Sequence, residues 1–483
     1  MRSLLNLENT KYGSVVNSIH DLQIDSIARM VFSDTSKMNK IISILDNILL
    51  DKETIEYRQS ILKDFLYNRT IYVTLMKECV NLEKCYSDYD ANRSYRSKLK
   101  LKSDISIADI STSLRDYGYT FRKLIEIYMR IDAMFKDNTP SSKGLKNYAA
   151  NVKKRVTSEG ILELLELIEQ IITSGQAYSY TITLDDYLVP IKEKYIICNG
   201  KYEGEKFTLF KKKNNANKVD LNDKIIDDSK RIMNDSYNRS VSIIEQLFEA
   251  LFDEIGFITK EMVFFEFGIK LYDIFGERKE DICFPEVSDG KISITNSKDP
   301  YLITRYFTEG YGDKIYGNDI NLSSSNSCLV IGSNNTGKTV FLRTIGIFQI
   351  FTQSGLFLSC DKAYLPIKNQ VVSIFSGEEK DTNVGGRFEK EAIDIKEVID
   401  KVDENSLVII NEIFQSTFAL DGMNALVDVL SYFTDINVKW ITVTHLISRN
   451  TNLGNLEETV KMYETTGKDN RYKILEVNKW KLE

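Results

Sequence analysis

Histidine and proline are almost missing, with two and five in 483 residues. So few prolines leave room for long uninterrupted helices. The histidines are His20 and His445, and the six cysteines are scattered at Cys79, Cys85, Cys198, Cys283, Cys328 and Cys360. None of these thiols falls in the close C-x-x-C spacing of a zinc or redox site, which argues against a structural metal. A chain of this length needs no disulfide staples, so reduced thiols and a cytoplasmic setting are expected. Long apolar runs are also lacking: the nearest, Val340 to Leu358, is broken by Arg343 and Gln349, which excludes a membrane helix. The opening stretch MRSLLNLENTKYGS has no basic segment followed by an apolar one, so it does not read as a secretory signal. A soluble protein with no membrane partner is the expectation. There is no excess of positive charge either, since 63 Lys and Arg face 70 Asp and Glu, for a net charge of −7. That excludes a protein coated in nucleic acid; any polyanion contact must come from a local basic face.

What is present is a globular composition, 42% apolar and 28% charged. The length predicts roughly two to four domains. Helical spacing of three and four places Ile24, Ile27, Met30 and Val31, then Ile55, Ile61, Leu62 and Phe65, on shared faces between about 21 and 67. Further helices are expected at 111–136, at 161–173 before Gly175, and as one or two long ones over 220–274. Between them, YSYTITL, KYIIC and NGKYEGEKFTLF predict a small β insertion at about 177–210, followed by a polar loop, KKKNNANK, at 211–218. After about 285 the pattern becomes strand–helix alternation, with strands at 329–331, 371–375, 407–410 and 440–444 and helices at 338–353, 389–402 and 421–433. Apolar strands alternating with helices predict a mostly parallel sheet covered on both faces. The fold class expected is α+β multidomain: a mostly helical core and lever region at 1–284, then an α/β domain at 285–483.

Three segments carry chemistry. The first is GSNNTGKT, spanning Gly332, Ser333, Asn334, Asn335, Thr336, Gly337, Lys338 and Thr339, with Val340 next. It follows an apolar strand and opens a helix, so successive backbone N–H groups and the helix N-terminus converge on one anion. In this pattern Lys338 reaches the β- and γ-phosphates of ATP, and the Thr339 hydroxyl takes a place on Mg²⁺. The second segment is SLVIINE, a buried strand ending in Asn411 and Glu412. An acidic residue at the first of these positions normally holds Mg²⁺ through water, and the second polarises the attacking water. Asn411 adds no charge, so weakened metal affinity is expected, whereas Glu412 is intact as base. The third is WITVTH, where His445 ends a strand at the edge on which open parallel sheets hold ligands. A lone histidine is commonly structural; at this place it can sense a γ-phosphate.

Together these segments resemble the ATPase domain of MutS-type mismatch repair proteins, a branch of the ABC-like ATPases, which implies that 285–483 is an α/β P-loop domain of ABC-like type. That family's loop, G-P-N-M-x-G-K-S, is matched by Gly332, Asn334, Gly337, Lys338 and Thr339. Its D-E-I-G-R-G-T-x-x-x-D-G is matched by Glu412, Ile413, Thr417, Asp421 and Gly422, and its T-H by Thr444 and His445. The resemblance implies that Ile315 or Tyr316, in the segment before the P-loop, stacks on adenine. It covers about 285–465 and extends to about 20–70, where DLQID and ETIEYRQSILKDF are similar to the family's helical core. It also implies a homodimer whose composite site receives a signature segment, S-T-F-x-x-E, from the partner. Here that stretch is Gly386, Arg387, Phe388, Glu389, Lys390 and Glu391; Phe388 and Glu391 fit, and Arg387 is the candidate substitute for the missing serine. The family's mismatch-reading and connector domains are expected to be absent, as are its C-terminal dimerising helices. Phe264 to Glu266 resembles the mismatch wedge but sits in a helical stretch and reads as core.

Two basic groups stand out: Arg93, Arg96, Lys98, Lys100 and Lys102, with Tyr95 among them, and Lys143, Lys146, Lys153, Lys154 and Arg155. They suit salt-sensitive phosphate contacts without sequence readout, or are solvated helix faces. Two functions therefore remain open. One is an ATPase that dimerises around Mg-ATP and clamps mismatched or branched DNA. The other is an ATP-driven switch acting on a protein or ribonucleoprotein.

Overall fold

In the computed structural model, residues 3–99, 107–157, 258–324, 327–375, 387–466 and 472–477 are described, with isolated positions between 161 and 249. The chain divides into two compact units. One comprises residues 68–140 and 145–259; the other comprises 2–67, 141–144 and 260–483.

The second unit is built on a seven-stranded sheet. Its strands are β1 (Ser14–Val16), β2 (Ser327–Ile331), β3 (Gln370–Phe375), β4 (Ser406–Asn411), β5 (Lys439–Thr444), β6 (Val460–Thr465) and β7 (Ile474–Glu476). They lie in the order β1-β3-β4-β5-β2-β6-β7. All neighbours are parallel except β7, which runs antiparallel to β6. Every residue of β2 and β5 is buried, as are Leu407 to Ile410 of β4. Near-continuous apolar strands are what a sheet covered on both faces requires. The expected strands at 329–331, 371–375, 407–410 and 440–444 all appear, each extended by one or two residues. A second sheet pairs Glu286–Ser288, Lys362–Pro366, Ile292–Ser297 and Asn318–Leu322 in that order.

The division differs from a boundary at 284/285, and the reason is long-range pairing. Ser14, Val15 and Val16 pair in register with Gln370, Val371 and Val372, so the N-terminal segment supplies an edge strand to the C-terminal sheet. Arg58, in the helix Lys52–Tyr67, donates to the carbonyls of Leu5 and Ser354 at 2.7 and 3.1 Å. Burial lowers its pKa to about 10, and the carbonyl partners satisfy a charge that is costly to bury alone. Residues 258–277 form a helix whose Phe264, Phe265 and Phe267 are fully buried. Within it Glu266 is 6% exposed and bonds Lys37 and Lys270. The Phe264–Glu266 triplet is therefore core.

In the first unit, the helices Arg69–Leu99 and Ile107–Asp137 run antiparallel, with Asp88 bonded to Lys123 and Glu78 to Arg130. Tyr89, Tyr117 and Phe121 surround Phe248 with ring separations of 4.7 to 6.3 Å. Within the stretch assigned to a β insertion, Tyr180–Thr181 pairs antiparallel with Ile196–Ile197. The remainder of that stretch, the loop at 211–218 and most of the expected helices at 161–173 and 220–257 lie outside the described residues.

Candidate nucleotide site

The sheet order brings β4, β5 and β2 side by side, so the residues following their C-terminal ends meet. Those residues are Glu412, His445 and Gly332. Three segments more than a hundred positions apart at their extremes thus form one edge, where open α/β sheets hold ligands.

The loop after β2 is shaped by backbone that most side chains resist. Gly332 has φ 144°, Asn335 62° and Gly337 97°. A Cβ on Gly332 would stand 2.0 Å from Thr465 Oγ1 and one on Gly337 3.2 Å from the Tyr472 ring. Glycine is therefore required at 332, and favoured at 337, by space as well as by dihedral. The helix Lys338–Ser354 begins at Gly337, which contributes no side-chain cap, and carries no acidic residue in its first turn. Its first N–H groups and dipole face the loop. Ser333, Asn334 and Asn335 are exposed, and Thr336 Oγ1 closes the turn onto the Ser333 carbonyl at 2.7 Å. Val340 is half-buried behind it.

Lys338 is only 3% exposed. Its Nζ donates to the carbonyls of Gly332 and Ser333, each at 2.9 Å, and lies 3.1 Å from Glu412 Oε1. Glu412 Oε2 accepts from Gln415 Nε2 and stands 3.5 Å from His445 Nδ1. Partial burial opposes ionisation of Glu412, but the bonds from Gln415 and Lys338, and the charges of Lys338 and His445, outweigh it. Its carboxyl is held below the usual range. Thr339 Oγ1 donates to Asn411 Oδ1 at 3.1 Å, so the two side chains expected beside Mg²⁺ do meet. Asn411 brings an oxygen but no charge. Glu412 has φ 49° and Phe414 φ 62°, a pair of strained positions immediately beyond β4. The Glu412 N–H reaches the Val443 carbonyl at 3.0 Å, which fixes the turn against β5.

Tyr316 is exposed on one side, with Lys314 5.5 Å from its ring, while Ile315 is buried. Sequence reasoning missed the partner of Tyr316. The Tyr472 ring lies 6.2 Å away, tilted by 40°, and the same residue flanks Gly337. Two further groups were also missed. Gln415 holds Glu412, a contact that its i+3 spacing could have suggested. Arg278 donates to the carbonyls of Tyr311 and Asp313, at 2.5 and 2.8 Å, and so holds the segment that leads to Tyr316.

The signature segment is described only in part. Gly386 lies outside the described residues, and Arg387 opens the helix Arg387–Ile399. Phe388 is 40% exposed, with its ring 5.2 Å from that of Phe414. Glu391 is turned inward: it is buried, and its Oε2 accepts from Phe414 N at 2.8 Å within the same chain. A carboxylate engaged there props its own strand-end loop.

Against known proteins, residues 328–479 match the family model for MutS domain V. Over this stretch the chain is similar to MutS domain V. The match begins in β2 and takes in the phosphate-loop segment, Glu412 and His445. The "DNA mismatch repair protein MutS" of Pseudothermotoga lettingae is 26% identical over 179 residues, covering 37% of this chain and 20% of that protein. The "DNA mismatch repair protein MSH2" of Arabidopsis thaliana is 24% identical over 234 residues, covering 47% of this chain and 24% of that protein. An "Endonuclease MutS2" from a Geobacillus species is 24% identical over 352 residues, covering 69% and 42%. The matches therefore span 20 to 42% of the length of these curated relatives. The chain's similarity to the third extends beyond MutS domain V. Among the described residues no helix is long and apolar enough to cross a membrane, and no group of three or more His, Cys, Asp or Glu is placed to hold a metal.

Proposed function

We propose that the chain binds Mg-ATP on the loop 332–339, hydrolyses it with Glu412 as base, and as a homodimer couples turnover to clamping mismatched or branched DNA. The observation that carries this reading is the convergence of Lys338, Glu412 and His445 at the ends of three adjacent parallel strands. The donor set fits the metal nucleotide. The loop has positive-φ backbone at three positions and an uncapped helix start, Lys338 supplies a cation, and Thr339 and Asn411 supply neutral oxygens. Bound there, Mg²⁺ supplies neutralisation of phosphate charge.

Lys338 has two roles in sequence. Without nucleotide it is tied to two loop carbonyls and to Glu412. With nucleotide it turns to the β- and γ-phosphates, and Glu412 loses the ion pair that suppresses its basicity. The carboxylate then takes a proton from the attacking water at Oε1, while Gln415 steadies Oε2. His445, against the same carboxylate, orients it and senses the terminal phosphate. The base gains strength only once substrate is in place, which limits idle proton uptake. The nucleobase lies against Tyr316 and Tyr472. Their centres are slightly closer than the roughly 7 Å that a base sandwiched between two rings needs at ordinary stacking distance. One ring moves as the base enters.

The DNA part rests on the printed names of two relatives and on the exposed Lys146, Lys153 and Lys154 of the helix Lys143–Val156. The dimer part rests on exposed apolar groups around the same strand ends, Phe388, Phe418 and Leu420. Binding isotherms with duplex, mismatched and branched DNA, with and without ATP, test the coupling. A steep fall in affinity with salt supports it. No binding at low salt overturns it and leaves a switch acting on protein or ribonucleoprotein.

A further inference from the structure

Away from the nucleotide site, Cys283 and Cys360 face one another with their sulfurs 3.1 Å apart, although they are 77 positions apart in sequence. The backbone holds them there. Cys283 N donates to the Leu358 carbonyl at 2.9 Å, and Leu358 N returns the bond at 2.8 Å. This two-way bridge puts Cys283 diagonally across from Cys360, on the same face. The ends are tied as well: Lys298 N bonds the Ser359 carbonyl, and the Lys298 ammonium bonds Glu280 and Asp281. Asn296 reaches Asp361 at 2.9 Å. Phe284 and Phe275 pack edge-on against Phe357.

The two thiols differ in access. Cys360 is fully buried and Cys283 is partly buried. The bond from Cys360 holds the Cys283 thiol below the usual range, whereas Cys360 is pushed up. By contrast, Cys79 and Cys85 are buried, with pKa values pushed up to about 12 by loss of solvation, and Cys328 is pushed up in the same way. A partly buried thiol in contact with a fully buried one is the arrangement of an attacking thiol beside its resolving thiol.

We propose that Cys283 and Cys360 form a reversible disulfide when the protein meets a hydroperoxide. The Cys283 thiolate attacks one peroxide oxygen; the O–O bond breaks and the alcohol, or water, leaves. Cys283 is then a sulfenic acid. The Cys360 sulfur attacks it, the S–O bond breaks, the S–S bond forms, and the hydroxyl departs as water with the remaining thiol proton. Two thiols and one hydroperoxide thus give one disulfide, one alcohol and one water, with two electrons passing to the peroxide. Closing the bond takes an approach of about 1 Å, since a disulfide spans about 2.05 Å. A dithiol restores the starting state by exchange. The closed ring contains β2, the phosphate loop and the helix Lys338–Ser354, so oxidation braces the nucleotide-binding core.

The test is peroxide treatment of the folded chain followed by alkylation, digestion without reductant and mass spectrometry. The expected result is a cross-linked Cys283–Cys360 peptide pair, reversed by dithiothreitol and formed at least about ten times faster than oxidation of Cys79, Cys85 or Cys328. The melting temperature of the oxidised protein should also rise. In Cys360→Ser the same treatment should leave Cys283 trapped by dimedone as a sulfenic acid, and Cys283→Ser should show neither product. The proposal is overturned if Cys283 and Cys360 both remain alkylatable after treatment, or if they cross-link only once the chain is denatured.

Discussion

Lys338 Nζ and Glu412 Oε1 stand 3.1 Å apart, joining the phosphate loop after β2 to the strand end after β4 across the width of β5. The cation that would hold phosphate is thus parked on the carboxylate that would activate water. Removing Lys338 removes a group that lowers the Glu412 pKa. Lys338→Ala should therefore raise that pKa, measurable by carboxyl NMR titration. Stability follows by linkage. A depressed carboxyl contributes stability above its unfolded pKa and loses it as pH falls through its folded value. Acid unfolding of the variant should begin at higher pH than in the parent. An unchanged Glu412 titration would show that the ion pair is absent in solution.

Asn411 brings a neutral oxygen to Thr339 where charge is the norm for metal. Asn411→Asp should lower the Mg²⁺ concentration for half-maximal ATP turnover, by about tenfold if one carboxylate adds roughly 1.4 kcal/mol. Superimposable Mg²⁺ titrations of the two proteins would remove this position from the metal's surroundings.

On the proposed nucleotide-binding reading, Arg278 positions the segment that would hold the nucleobase. Its guanidinium spans two carbonyls of the irregular stretch 311–316 and lies 5.8 Å from the Tyr306 ring. Arg278→Ala should raise KM for ATP by about three- to tenfold with kcat within about twofold, the pattern of lost ground-state binding. Arg278→Lys, which keeps charge but not the two-pronged geometry, should recover little. Equal losses in kcat and kcat/KM would place Arg278 in the chemistry instead.

Glu391 acts within its own chain, on the N–H of a residue with φ 62°. Glu391→Ala leaves that buried donor unmet and should cost about 1–3 kcal/mol in chemical denaturation. Glu391→Gln keeps an acceptor and should retain most of the stability. If both variants match the parent, the bond to Phe414 contributes nothing.

Legibility followed the range of the interactions. Gly332 to Thr339 stand out because the phosphate-loop pattern is written in consecutive residues, and the strands of the sheet because burial on both faces demands unbroken apolar runs. The helix Lys338–Ser354 ends at Gly355 as its αL cap signals. What could not be read depends on distant partners. Ser14–Val16 pairs with residues some 350 positions away, and three residues carry no periodicity to betray a strand. Tyr472 sits in an irregular turn, so nothing local links it to Tyr316. Glu391 fitted the signature pattern, yet a pattern does not say which way a carboxylate points; the Phe414 N–H decides that.

Single-turnover hydrolysis of Mg-ATP by the parent chain and by Glu412→Gln probes the catalytic assignment most directly. The parent should convert bound ATP to ADP, while the variant should retain nucleotide and slow conversion by about 10²- to 10⁴-fold. Hydrolysis at equal rates, or failure of the parent to retain Mg-ATP at all, would contradict it.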